Sequence, residues 1–264
     1  ITVASGSMAK VSSVLTGNSG LTKAGAGTLV LSGANTFSGI TSNNTGTLIF
    51  GDGTTAVTNT LGGSTVNIDY GGTLVITNAA RITAGNIAVA GNSKNCSLYV
   101  YGALALSGSI WGNTSGNENG KVVVGPNGRL TASTLGTGWH PGQFQIDGNA
   151  FFTGGSFLTI GGTPLPITGS GTLTFASLTM GNWTVLTSSI NHLVISNTFL
   201  FSTDNTDSAF TQTGGTVDLA SATTDAIRIG SASSKTATLT VSGGVLNATN
   251  TSTVVGYDGT GVVA

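Results

Sequence analysis

Recurrent glycine-fenced strand cores, an absence of helix-forming windows and coils of uneven length predict one architecture. The chain is expected to be all-β, a single right-handed parallel β-helix (β-solenoid) of about ten to twelve coils with little or no helix. The cores are GTLVL from Gly27, GTLIF from Gly46, GTLVI from Gly72, GALAL from Gly102, GTLTF from Gly171 and GTVDL from Gly215. No window of ten or more residues carries a 3.6-residue apolar period free of β-branched residues or glycine, so helices are not expected.

Taken in order, the strands show as short alternations: Leu29 and Leu31, Leu48 and Phe50, Leu74 and Ile76, Leu98 and Val100, Leu104 and Leu106, Val122 and Val124, Val217 and Leu219, Ile227 and Ile229, Leu239 and Val241. Each pair puts two apolar side chains on one face of a strand and the residue between them on the other. Between the cores stand GNSG, SNNTG, NTSGNENG and TDNTD, whose Gly and Asn accept the positive φ of tight corners. Glycines open the strongest strands at 27, 46, 72, 102, 128, 155, 171 and 215; most of the gaps suit one solenoid turn and the last suits two. A sandwich or barrel would want longer strands and frequent Asn-Gly hairpins such as Asn119-Gly120, and a propeller would want a blade signature of ~40 residues. At ~22 to 26 residues per coil and ~4.8 Å per rung the result is a rod of ~50 to 55 Å. Residues 1–264 form one continuous segment, with a bend or irregular coil expected at GGTPLPITGSG, 161–171, which holds two of the four prolines.

Composition narrows the partners. Eight Lys or Arg and nine Asp or Glu make 6% of the 264 residues and a net charge of −1, against a usual ~25% charged. Gly, Ser, Thr and Asn must therefore carry solubility, while the abundant aliphatics exclude ordinary disorder. Scattered single charges give no footprint for nucleic acid, which is not expected as a partner. No apolar run approaches the ~18 residues of a membrane helix, so this segment is not expected to insert in a membrane directly. Cys96, the single cysteine, reads as a small strand residue. The chain opens on ITVASGSMAK without Met and closes on VVGYDGTGVVA within a strand-like pattern, and is expected to be a piece of a longer protein.

The stretch GLTKAGAGTLVLSGANTFSG, 20–39, followed by GTLIFGD, carries Leu21, Thr22, Lys23, Gly25, Gly27, Thr28, Leu29, Leu31, Gly33, Asn35, Thr36, Phe37 and Gly39. It closely resembles the autotransporter-associated β-strand repeat, or passenger-associated transport repeat, with Phe37 in the usual Tyr place. From Phe210 onward, FTQTGGTVDL and its continuation look more loosely like the strand-rich repeats of large surface proteins of Gram-negative bacteria. The resemblance implies an exported β-helical passenger at the outer cell surface.

Enzymatic readings find little to stand on. Lyases and hydrolases built on β-helices need clustered carboxylates with a basic partner. Here Asp52, Asp69, Glu118, Asp147, Asp204, Asp207, Asp218, Asp225 and Asp258 are mostly dispersed, though stacking can bring one coil's Asp over another's. Asp204 and Asp207 are the closest acidic pair and a weak calcium candidate; without further carboxylates they read as turn caps. His140 and His192 stand far apart and read as corner residues. GNENGK at 116–121 lacks the spacing and hydroxyl of a phosphate loop, and no G-x-S-x-G elbow occurs. Thr-x-Thr triplets raise ice binding, but irregular coils oppose their registration.

No catalytic residue, resident metal or cofactor is therefore expected. The expected function is a non-catalytic extracellular structural protein: a rod, spacer or fibre subunit that associates end to end with copies of itself or with further coils of its own chain. The alternative is an adhesin or carbohydrate-binding module, facing glycans or a host surface, with Trp111, Trp139, Trp183, Tyr99 and Tyr101 as its contacts.

Overall fold

The computed structural model describes residues 1–264 apart from 62–64, 92–94, 113–119, 137–141, 160–163, 182–183, 202–206, 221–226, 231–234, 250–252 and 257–259. Among the described residues there is no helix, and every strand pairing is parallel. Parallel neighbours cannot be joined by a hairpin, so each must be reached by a circuit of the chain. The protein makes that circuit as a β-solenoid with three faces.

The first face stacks 12 strands, from Met8–Val11 and Thr28–Leu31 through Ser97–Val100 to Thr260–Val263. The second has 11, beginning with Val57–Thr60 and Ala80–Ala84, and the third has six, from Leu21–Lys23 to Thr134–Leu135. One coil shows the plan. Ser97–Val100 lies on the first face, Tyr101 and Gly102 turn the corner, Ala103–Leu106 runs along the second face, Ser107 and Gly108 turn again, and Ser109–Trp111 closes on the third.

Stacking in register converts the sequence alternation into columns. On the first face Leu29, Leu48, Leu74, Leu98, Val122 and Phe144 follow one another inward, one per coil. All are buried, and each full burial contributes about 1.5–3 kcal/mol. The second face supplies Ile82, Leu104, Leu130, Ala150, Leu173 and Leu193 in the same manner. Outside, Thr28, Thr47, Thr73 and Ser97 form a hydroxyl ladder. Two Phe side chains on adjacent coils, Phe152 and Phe175, stack with centroids 5.1 Å apart.

The later coils depart from the short strands expected. Asn149–Thr159, Thr172–Gly181 and His192–Phe201 run 11, 10 and 10 residues. Their registers slip between Phe152 and Gly155 and between Phe175 and Ser177. Such bulges let a single strand round a corner, so Gly155, expected to open a strand, lies within Asn149–Thr159 instead. In Leu165–Thr168, pairing with the preceding strand begins at Ile167, one residue beyond Pro166, which has no N–H to give. Residues 161–163 of the same proline segment lie outside the described residues.

Corner glycines are set by close approach. A Cβ on Gly102 would collide with the carbonyl oxygens of Thr77 and Ala80 on the preceding coil. Gly102→Ala is expected to destabilise the protein by about 1–3 kcal/mol, read as a lowered thermal midpoint. Gly53→Ala, where a Cβ meets only open space but φ is +86°, is expected to cost less.

Candidate functional site

The stretch 20–39 contains the most chemically unusual group in the chain. Lys23 ends the strand Leu21–Lys23 with its side chain pointing inward, and it is fully buried. Its ammonium donates to the carbonyls of Gly25 at 2.5 Å, Thr45 at 2.7 Å and Ala24 at 3.4 Å. Burial pushes its pKa below the ordinary lysine value. A corner leaves carbonyls that no strand partner can reach, and an inward cation with three donors satisfies several at once.

The same device recurs with neutral groups. Asn43, in register with Lys23 one coil on, donates from Nδ2 to Thr73 O at 2.8 Å and Gly46 O at 3.2 Å. Far along the rod Gln212 donates from Nε2 to Val245 O at 2.9 Å and Gly215 O at 3.0 Å. In each case the corner glycine that follows, Gly25, Gly46 or Gly215, holds a positive φ.

Asn35 secures a different corner. Its Oδ1 accepts from Leu15 N at 2.9 Å, and its Nδ2 donates to Gly33 O at 2.9 Å and to Asn59 Oδ1 at 2.6 Å. Gly33 stands where a Cβ would strike the Ser13 carbonyl, Thr36 N bonds Leu15 O at 2.8 Å, and Phe37 plugs the core. Leu21, Leu29 and Leu31 are core, whereas Thr22 is exposed and Thr28 joins the outer hydroxyl ladder. Gly27 and Gly39 lie against neighbouring backbone too closely for a side chain. The motif residues thus have structural duties.

The described carboxylates each have separate surroundings. Asp52 caps its own turn through the N–H groups of Thr54 and Thr55 and pairs with Lys10 at 3.5 Å. Asp147 accepts from Ser170 and from Gln145 Nε2, which hold its carboxyl below the usual range. Asp69 is raised by burial. Asp207 accepts Thr236 N at 2.7 Å, capping the next coil; its proposed calcium partner Asp204 lies outside the described residues, as do Glu118, Asp225, Asp258 and His140. Among the described residues no group of three or more His, Cys, Asp or Glu is gathered to hold a metal. Cys96 is buried and in no disulfide.

Stacking does bring one titratable pair together. His192 opens the strand His192–Phe201 rather than sitting in a loop, and its Nε2 lies 2.6 Å from Asp218 Oδ2; Asn247 Nδ2 donates to Oδ1 of the same carboxylate at 2.8 Å. The three residues come from three successive strands of the second face. Bonds from Asn247 and then His192 hold the Asp218 pKa below the usual range. Half-exposed on the outer surface, the trio acts as a clamp across coils.

Of the aromatics, Tyr99 and Tyr101 point outward from one coil with rings parallel within 14° and centroids 6.2 Å apart. Trp111 is half-buried and outward on the third face. Trp139 and Trp183 lie outside the described residues. The inward donors Lys23, Asn43 and Gln212 carried a sequence signal, a polar residue two or three positions before a positive-φ glycine. The His192 clamp carried none, because its members are 26 and 29 residues apart.

The fold and this arrangement define a repeat-built parallel β-solenoid with inward polar corner clamps. No protein-family model, curated protein or solved structure matches the chain.

Lys23→Met removes the donor to Gly25 O and Thr45 O, and each orphaned carbonyl is expected to cost about 1–3 kcal/mol in thermal or urea unfolding. Lys23→Gln, which restores an amide donor of the kind Gln212 provides, should recover part of that loss. The Asp218 pKa is depressed in the folded state, so its contribution is present above the unfolded value and is lost as pH falls through the folded one. Melting temperature should therefore drop below about pH 4, and Asp218→Asn should flatten part of that decline.

Proposed function

We propose that this chain is a non-catalytic extracellular structural protein, an autotransporter-like β-helical passenger of a Gram-negative bacterium, exported to the outer cell surface and serving there as a rod, spacer or fibre subunit. The observation that carries this reading is the use made of the repeat-like stretch 20–39. Its lysine, asparagine, glycines and leucines go into corners and core, which is what a scaffold repeat requires. The parallel ladder of the first face supports it too, running through 12 strands, each hydrogen-bonded to its neighbours in the stack.

End-to-end association follows from the same ladder. Met8–Val11 and Thr260–Val263 close the first face, and Met8 and Val263 are 70% and 57% exposed. Such strand edges accept further coils of the same chain or a second copy. An adhesive role for the rod is the second reading, favoured by the outward Tyr101 and Trp111.

Negative-stain electron microscopy of the purified chain should show rods about 50–55 Å long and end-to-end polymers of them at raised concentration. Compact particles would overturn the rod reading, and cleavage of pectin or another polyuronate by the purified chain would overturn the non-catalytic one.

A further inference from the structure

We propose that the rod carries a binding site for an acidic polysaccharide, formed by one coil's tyrosine pair and two arginines that register places on the coils on either side. The site does not depend on the rod reading; it rests on the adhesive one and gives it a ligand. Its floor is the coil that holds Ser97–Val100 and Ala103–Leu106, whose outward residues Tyr99, Tyr101, Ala103 and Ala105 follow one another around a two-residue corner.

Register places the charges. Ala103 pairs with Arg81 on the preceding coil and with Arg129 on the following one. The two arginines therefore occupy the same outward column, two rungs or roughly 9.6 Å apart along the rod. Both are exposed, and among the described residues neither guanidinium has an ion-pair or hydrogen-bond partner. Between them stands only an alanine, with Ala105 beside it, so no long side chain separates the two guanidinium groups; this gap is the notch of the proposed site.

The aromatic wall stands at the corner end of the notch. Tyr101 is 37% exposed, and its ring leans over Gly125 of the next coil, where a Cβ would meet ring carbon Cδ1. That contact and the stack on Tyr99 hold the ring in place without help from its hydroxyl, which has no partner among the described residues. Asp147, the carboxylate at the corner of the coil after Gly125, is already engaged by Ser170 and Gln145.

Chemistry selects the ligand. A guanidinium presents a planar fork that takes a carboxylate by two parallel bonds. A fixed tyrosine ring offers an apolar face and a polar edge, suited to the mixed surface of a sugar. Two forks along the rod axis with a ring beside them match a carboxylate-bearing sugar chain lying along the coils. A nucleic acid would call for a broad basic groove, whereas this column holds two arginines on either side of an alanine.

The test is isothermal titration calorimetry with polygalacturonate, using neutral dextran and single-stranded DNA as comparison ligands. Saturable binding to polygalacturonate is expected, falling about tenfold or more, or 1.4 kcal/mol, in the Arg81→Gln/Arg129→Gln double variant and again in Tyr101→Ala. These side chains lie outside the core, so melting temperatures serve to show that the variants remain folded. Failure of the wild-type chain to bind, equal binding of dextran or tighter binding of DNA, or affinity unchanged by the substitutions, would overturn the proposal. Rods seen by microscopy that ignore polygalacturonate would remove this site and leave the rod reading standing.

Discussion

The structure depends on the parallel hydrogen-bonded ladder, which seats every residue on its counterpart one coil away at ~4.8 Å. At that spacing neighbouring side chains lie in contact, and the longest columns run through several coils in one chemistry. Leucine, valine and phenylalanine continue each other inward from Leu29 to Phe144, and Thr28, Thr47, Thr73 and Ser97 continue each other outside. A chain with 6% charged residues folds well under this rule, because a column of like charges would repel itself at every rung.

The ladder satisfies backbone groups along the faces and leaves the corners unresolved. There the chain changes direction and some carbonyls turn toward the core, where an unpartnered polar group is costly. Burying a lysine ammonium is costly as well, and in Lys23 the two costs offset each other directly. The neutral amides of Asn43 and Gln212 do the same work at other corners without a charge to desolvate. A single geometric problem thus accounts for the buried polar side chains, the positive-φ glycines and much of the motif in which they occur.

The architecture was legible in the sequence because a solenoid writes its period-2 alternation and its corner glycines locally, as at Leu29, Leu31 and Gly27. The bulge in Thr172–Gly181 was not legible, since the break in alternation at Ala176 and Ser177 is small and no glycine marks it. Side-chain groupings were the least visible. His192 meets Asp218, and Arg81 shares a column with Arg129, only through the register of separate coils, and coil lengths vary enough that spacing in the chain does not give it. Lys23 was visible as a motif residue, yet its inward direction became clear only with the strand Leu21–Lys23 in place.

Contact between successive coils alone also sets how the rod would respond to force. Ser97–Val100 bonds to Thr73–Ile76 on one side and to Lys121–Val124 on the other, and to no more distant strand. Tension applied to one end of the chain is therefore borne by the outermost coil, which must peel away before the next is loaded. Lengthening such a rod adds extensible material behind the loaded end without raising the force at which it begins to yield. A tether of this kind absorbs a pull by unwinding in steps.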